Sequence, residues 1–296
     1  MRQLALAALA IAACHKDASR AAPGDAAPHP PRDARIAPVA LPPNTYGDLA
    51  SALAAIIPDD ARVIGFGELH ARTDRPHVTS ALARFTRDAL PALAPKLSDL
   101  VIETWLLDTH CGKTAAQTSA RVQTTMKRPA ETTNEIGALA DAARKEQIQP
   151  RAMQVSCDDY ARIAPAGKDI QADVLLTLTT NELGRVATEA LTARDADPKH
   201  RPWIALYGGA LHNDRFPDDS VAEWSYAAKV DAATHGHFVE IDLIVPELAD
   251  GDPMSQKEPW YGLASHADDV FHVWKRGDRS FVIVMPRSAP TAPEPK

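Results

Sequence analysis

Short apolar runs rich in β-branched and aromatic residues alternate along this chain with stretches of helical periodicity. The runs typical of strands are 62–66, 100–102, 151–156, 203–207 and 238–245. Apolar residues at helical spacing fill the intervals, most clearly over 46–57, 76–91, 132–146, 169–193 and 220–233. Because parallel strands need a crossover connection, this alternation predicts an α/β protein whose largely parallel central sheet carries helices on both faces. Two further runs, 270–274 and 280–285, flank a Gly-Asp turn and predict a C-terminal antiparallel hairpin.

The chain is expected to hold one folded domain, over residues 44–287. Residues 14–43 are mainly Ala, Pro, Asp and Arg, and this composition buries too little apolar surface to offset chain entropy, so we expect a disordered tether. The proline-rich residues 288–296 are expected to be a disordered tail for the same reason.

The first 13 residues have the composition of an export signal. Arg2 supplies a positive start, residues 4–11 are apolar but too short to span a bilayer, and Ala12-Ala13 are small. Together with Cys14, this end resembles a bacterial lipobox, which predicts a lipid anchor on Cys14. The expected location is the cell envelope, on the outer membrane facing the periplasm. The alternative is an ordinary cleaved signal in which Cys14 has no role.

The number of cysteines and the net charge bear on a disulfide and on the kind of partner that is expected. If Cys14 takes lipid, Cys111 and Cys157 remain as one pair, which in an oxidising compartment predicts a disulfide; two buried thiols are the alternative. The chain has 39 acidic against 32 basic residues, and loss of Arg2 with the signal changes the net charge from −7 to −8. A nucleic-acid partner is therefore not expected.

Two of the strand-like runs are followed by the same spacing, Gly67-Glu68-Leu69-His70 and Gly209-Ala210-Leu211-His212. With 14 Gly and 11 His in 296 residues, a Gly-x-x-His is expected by chance about once in every two such chains. The strand context is therefore what gives the pair its weight. Each motif predicts a glycine turn and then a histidine at the carboxyl end of a strand, where open α/β sheets bind ligands.

Glu103 ends the intervening run 100–102 in the same way. Two imidazoles and one carboxylate are a common open coordination set, so His70, Glu103 and His212 are predicted ligands for Zn, Mn, Fe or Co with a position left for water. Such an ion makes water a nucleophile near neutral pH. Glu68 is a candidate base for that water, or alternatively orients an imidazole. Asp158 and Asp159, after 151–156, are candidate additional polar ligands.

Two Gly-x-x-His motifs after strands, with a Glu at the end of a strand between them, resemble a pattern shared by one superfamily. It comprises the Tiki metalloproteases, the TraB/GumN proteins, the erythromycin esterases and the ChaN-like haem-binding lipoproteins, and the likeness spans roughly residues 45–286. The resemblance gives the positions of the shared motifs to Gly67, His70, Glu103, Gly209 and His212. Glu68 matches the Gly-Glu-x-His form of the ChaN-like and esterase branches, and the ChaN-like branch is the nearest.

This resemblance implies either a metal-dependent hydrolase or a haem-binding protein. The first expectation is a membrane-tethered enzyme that cleaves a peptide or ester bond in a peptide or small molecule, using Glu68, His70, Glu103 and His212. The alternative is a ChaN-type haem-binding or haem-uptake lipoprotein without catalysis, with His70 and His77 as haem ligands. His77 follows His70 by seven residues, a longer interval than is usual in ChaN-like proteins. A third possibility is an envelope protein that keeps the fold without the chemistry.

Overall fold

The structure is a computed structural model that describes residues 44–75, 77–106, 109–197, 199–265 and 269–288. The predicted signal, Cys14 and the tether lie outside the described residues, as do residues 289–296 of the predicted tail. Ser288, which the sequence assigns to the tail, is bound to the domain, because its hydroxyl accepts a hydrogen bond of 2.9 Å from Arg84.

Within the described residues, eight strands form one sheet in the order β1-β7-β8-β6-β2-β5-β3-β4. The strands are β1 Asn44–Tyr46, β2 Val63–Glu68, β3 Leu97–Leu106, β4 Gln149–Gln154, β5 Trp203–Gly209, β6 Phe238–Ile244, β7 Phe271–Gly277 and β8 Ser280–Val284. From β8 to β4 every neighbouring pair is parallel, whereas β7 is antiparallel to β8 and to β1. The predicted largely parallel α/β sheet and the C-terminal hairpin are confirmed.

Helices cover both faces of the sheet, as predicted. They are α1 Leu49–Ile56, α2 (α-helical over Ala81–Arg84 and Leu90–Leu93, π-helical over Phe85–Ala89), α3 Lys113–Thr125, α4 Glu131–Lys145, α5 Cys157–Ile163, α6 Ala172–Ala196, α7 Ala210–Asn213, α8 Ala227–Ala233, α9 Pro246–Ala249 and α10 Tyr261–Ala264. Helices α1, α2 and α4 pack on one face, where β2 contributes Ile64 and Phe66. Helices α6 and α8 pack on the other face, where β2 contributes Val63. This division follows from the alternation of side chains along a strand.

Two local predictions are wrong for identifiable reasons. The sequence places a capping box at Thr132 and Glu135, but α4 begins at Glu131 without a side-chain cap. Glu135 instead accepts a hydrogen bond of 2.8 Å from Ser80, the residue that caps α2. The predicted break at Pro91 is also absent, because Pro91 lies in the first turn of the α-helical segment that follows the π-helical turn, where a missing N–H is tolerated.

A disulfide joins Cys111 to Cys157, as predicted, with their Cα atoms 5.2 Å apart. It links the turn before α3 to the start of α5, two helices that the sequence pattern does not predict. The bond therefore fixes the beginning of α3, the helix that leads into the turn at residues 126–130.

Within the described residues, no helix combines the length and the apolar character needed to cross a bilayer.

Two glycine substitutions are expected to change stability in opposite directions. Gly137 lies inside α4 with open space around it, so Gly137→Ala should raise the free energy of unfolding by about 0.5–1 kcal/mol through helix propensity. At Gly67 in β2, an added Cβ would lie 2.7 Å from the Ala210 Cα, so Gly67→Ala should lower it by roughly 2 kcal/mol or more. Urea denaturation measures both, and equal effects at the two sites would contradict this account of the packing.

Candidate functional site

The two histidine motifs and Glu103 lie on three adjacent strands. In the register of β2 and β5, Gly67 is opposite Gly208 and Glu68 is opposite Gly209. Strand β3 lies on the other side of β5, and its pairing with β4 shifts between Ile102 and Trp105, around Glu103. Such a bulge re-aims a side chain. The three predicted strand ends therefore meet at one edge of the sheet.

Gly209 of the second motif and Gly208 before it provide space and not the predicted turn. Strand β5 stays extended through Gly209. A Cβ at Gly208 would lie 2.6 Å from Glu103 Oε2, and a Cβ at Gly209 would lie 2.8 Å from His70 Nε2. Both distances are shorter than side-chain carbons tolerate, so only a strand without side chains here lets Glu103 and His70 meet across it.

His70 is held in one tautomer by the residues on either side of its ring. Its Nδ1 lies 2.8 Å from Glu68 Oε1, and its Nε2 lies 2.7 Å from Arg128 Nη2. A guanidinium only donates, so Nε2 is the acceptor and the ring proton lies on Nδ1, donated to Glu68. The other Glu68 oxygen accepts a hydrogen bond of 2.7 Å from the Tyr207 hydroxyl. Both oxygens of Glu68, which is 6% exposed, are thus occupied.

His212 is held in the same tautomer from the opposite side of the site. It is 4% exposed, and its Nδ1 lies 3.0 Å from the Trp224 carbonyl oxygen and 2.8 Å from Thr180 Oγ1. A carbonyl only accepts, so the proton lies on Nδ1 and Nε2 keeps its lone pair. Burial lowers the pKa of His212 more than the nearby Glu103 raises it, so the ring is neutral at pH 7.

Glu103 is ionised. Burial raises the pKa of Glu103, but the opposing effects of His70, His212, Arg128 and the Gly209 N–H are larger together and lower this pKa to about 2. One oxygen accepts a hydrogen bond of 2.6 Å from the Gly209 N–H. The other lies 3.1 Å from Arg128 Nη2 and 3.7 Å from His70 Nε2.

Arg128 is the site residue that sequence reasoning missed. It lies in the turn between α3 and α4, and its Nη2 donates to both His70 and Glu103. No motif surrounds it in the sequence. Its position beside Pro129, before the helix predicted over 132–146, does not distinguish it from other loop arginines.

The other sequence-predicted residues lie elsewhere. His77 is exposed in the loop before α2 and does not line the cleft at His70. Asp158 is exposed, and Asp159 closes a capping box with Ser156 at the start of α5. Haem ligation by His70 and His77 stays a prediction.

The site adjoins a small cleft of about 10 Å³. Leu82, Ile102 and Ile136 form its apolar wall, and Glu68, His70, Glu103 and Arg128 line its polar side. This volume is about the space that one water molecule occupies.

The donor set fits a divalent ion in its chemistry. Both imidazoles give Nδ1–H to an acceptor, one to a carboxylate and one to a backbone carbonyl, as metal-ligating histidines do, and Glu103 is ionised beside them. Among the described residues, however, no three His, Cys, Asp or Glu side chains converge as a ready-made metal site. The Arg128 guanidinium lies between His70 and Glu103, so an ion and this position of Arg128 exclude each other.

A second buried polar cluster lies behind the site. Asn213, which follows His212, donates a hydrogen bond of 3.2 Å to Asp242 on β6. Glu240, two residues earlier on β6, pairs with Arg276 at 3.2 Å. Burial, and then the nearby Asp214, raise the pKa of Glu240 to about 7, and burial raises that of Asp242 well above its usual range.

Glu240 should make the fold less stable as the pH rises. Between the unfolded pKa near 4.5 and about 7, the folded state holds a proton that the unfolded state lacks, so the free energy of unfolding falls across this interval. Between pH 5 and pH 8, the decrease in the free energy of unfolding should be smaller in Glu240→Gln than in the wild type, by on the order of 1–3 kcal/mol. Urea denaturation at both pH values measures it, with Glu223→Gln at an exposed position as the control. An unchanged pH dependence in Glu240→Gln would contradict the assignment.

No protein-family model and no curated protein sequence matches the chain. A crystal structure of a protein from Bacillus cereus is similar with a TM-score of 0.40 and 12% identity, over 80% of this chain and 90% of that protein. A likeness of this size supports no statement about function, so the interpretation of the site depends on its own geometry.

Proposed function

We propose that the protein is a metal-dependent hydrolase that cleaves an ester or amide bond, with His70, Glu103 and His212 as the ligands of a divalent ion. The observation that supports this most is the shared tautomer of the two imidazoles. Each has its Nδ1–H bound to an acceptor, so each ring presents a lone pair at Nε2, and that of His70 lies 3.7 Å from the ionised Glu103. A divalent cation is a suitable partner for donors of this kind.

A divalent ion, when bound, supplies Lewis acidity that makes water a nucleophile near neutral pH. The chain's own residues prepare that chemistry. Glu68 fixes the ring of His70 and is itself held by the Tyr207 hydroxyl. Burial and the nearby Glu68 raise the pKa of Tyr207 well above its usual range, so the hydroxyl remains a donor. Of the two roles open to Glu68, orientation of His70 is therefore the one its contacts favour.

The remaining groups act by position. Thr180 and the Trp224 carbonyl hold the ring of His212, and the Gly209 N–H holds Glu103. Leu82, Ile102 and Ile136 keep bulk water away from the donors, which strengthens every charge interaction in the cleft. The lipid anchor on Cys14 and the envelope location stay predictions from the sequence.

Ion titration of the chelator-treated protein tests this proposal. Calorimetry with Mn²⁺ and Zn²⁺ should show one site, weakened at least 100-fold in His70→Ala and in His212→Ala because each loses a ligand. Arg128→Met should bind the ion about 10- to 100-fold more tightly, because the competing guanidinium and its charge-assisted hydrogen bonds are gone.

His237→Ala is the matched control, because His237 precedes β6 at the opposite edge of the sheet, 3.0 Å from Asp60. It should bind the ion as the wild type does. The proposal fails if the folded wild type and folded Arg128→Met both bind no ion.

A further inference from the structure

We propose that Asn213 and Asp242 form a neutral pair of an amide and a carboxylic acid, and that this pair positions His212. Asn213 follows His212 at the end of α7, and both paired side chains are buried. They act through His212 and are therefore positioning residues, not ligands. The inference rests on the proposed function for the bound ion, whereas the position of the His212 ring can be measured without one.

Two glycines of β2 let helix α7 pack directly against the sheet. A Cβ at Gly67 would lie 2.7 Å from the Ala210 Cα, and a Cβ at Gly65 would lie 3.0 Å from the Asn213 Cβ. The first and the last residue of α7 therefore both lie against the backbone of β2. Helix α7 has four residues, too few for a helix to hold its shape by its own hydrogen bonds. The direction of His212 thus depends on how α7 is attached to the sheet.

The side-chain amide of Asn213 has one orientation. Its nitrogen donates a hydrogen bond of 3.2 Å to the Gly65 carbonyl and another of 3.2 Å to Asp242 Oδ1. A carbonyl only accepts, so the atom beside Gly65 is the nitrogen. The amide oxygen is buried, and among the residues that the structure describes it has no donor. A buried oxygen without a donor is costly, so this oxygen needs one.

A proton on Asp242 supplies that donor. A Cβ at Gly67 would overlap Asp242 Oδ1 and lie 2.6 Å from Asn213 Oδ1, so the two oxygens lie against the same point of β2. An ionised carboxylate only accepts and leaves the amide oxygen without a partner. A carboxylic acid donates to that oxygen and still accepts from the amide nitrogen. The neutral pair therefore satisfies both side chains.

The charges near Asp242 favour the same proton. The charged or titratable groups that face it are Asp214, Glu240, Arg276 and Tyr226, and its register partners on β2 and β8 are Gly67 and Val282. Three carboxyl groups share Arg276, whose Nη1 already lies 2.6 Å from Asp214 and 3.2 Å from Glu240. Burial, and then the charge of Glu240, raise the pKa of Asp242 well above its usual range, which favours the neutral acid.

The pair adds a second attachment for His212. The imidazole ring is held by Thr180 and the Trp224 carbonyl, which belong to α6 and to the segment before α8. The Asn213 side chain instead ties the same short helix to β2 and β6. Loss of the pair frees α7 to move against the sheet, so Nε2 of His212 would lose its position relative to the other donors.

Substitutions at Asp242 test the pair in the ion-free, full-length protein. Asp242→Asn keeps a donor and an acceptor, so the ¹H–¹⁵N signals of the His212 ring should match those of the wild type. Asp242→Leu removes both, and the signals should shift or broaden; Asn213→Ala should have the same effect. In calorimetry, the Mn²⁺ affinity should stay within about threefold of the wild type in Asp242→Asn and fall roughly 10-fold or more in the other two variants.

Asp99→Asn is the matched control. Asp99 is also buried, but it pairs with Arg151 at 2.7 Å, so the neutral amide breaks an ion pair there. It should lower the midpoint of urea denaturation and leave the His212 signals unchanged, whereas Asp242→Asn should not lower the midpoint. The infrared difference spectrum of the wild type and Asp242→Asn at pH 7 should show the C=O band of a carboxylic acid in the wild type.

The proposal is overturned if Asp242→Asn disturbs the His212 ring as strongly as Asp242→Leu does, or if the infrared spectrum shows a carboxylate at Asp242. It is also overturned if the ring is unchanged in the folded Asp242→Leu and Asn213→Ala variants. Circular dichroism shows which variants fold, and Asn213→Ala decides the question if Asp242→Leu does not. The expected ring signals without ion binding in any variant would remove the metal site and leave the positioning role. Equal ion affinity in all variants would do the reverse.

Discussion

The close approach of Glu103 and His70 across strand β5 is the constraint on which the site depends. Gly208 and Gly209 have no side chain where these two residues meet, and a Cβ at either position would lie within 3 Å of a site atom. The parallel register of β2 and β5 then puts the two histidine motifs side by side. The repeated glycines are thus explained by space.

Charge balance is the second constraint. Glu103 is ionised with a pKa of about 2, Glu68 accepts two hydrogen bonds, and both imidazoles offer a lone pair at Nε2. Arg128 is the cation that lies among these groups in the structure. An ion at the same place would displace the guanidinium from His70 and Glu103.

Much of this arrangement is predictable from the sequence, because it depends on local patterns. Periodicity predicts the strands that lead to Glu68 and Glu103 and the strand that precedes His212, and the rule for parallel sheets predicts that their ends share an edge. The spacing of Glu68 and His70 predicts that both residues belong to one site, although it does not predict the hydrogen bond between them. These features need no knowledge of distant contacts.

The predictions that were wrong or missing concern features that depend on tertiary packing. Arg128 reaches the site because the turn between α3 and α4 is held against the loop after His70, a contact between residues more than fifty positions apart. Glu135 does not cap α4 as expected, because its carboxylate accepts a hydrogen bond from Ser80, which is distant in sequence. The glycine turns were misjudged since a glycine that creates space and one that allows a turn look alike in sequence.

The central claim is that both imidazoles carry their proton on Nδ1 and leave Nε2 free to accept. Long-range ¹H–¹⁵N correlation spectra of the ion-free protein near pH 7.5 measure this for each ring, with His70→Ala and His212→Ala used for assignment. The account predicts a protonated Nδ1 and an unprotonated Nε2 in both His70 and His212. A proton on Nε2 of either ring, or a doubly protonated ring at this pH, would contradict it.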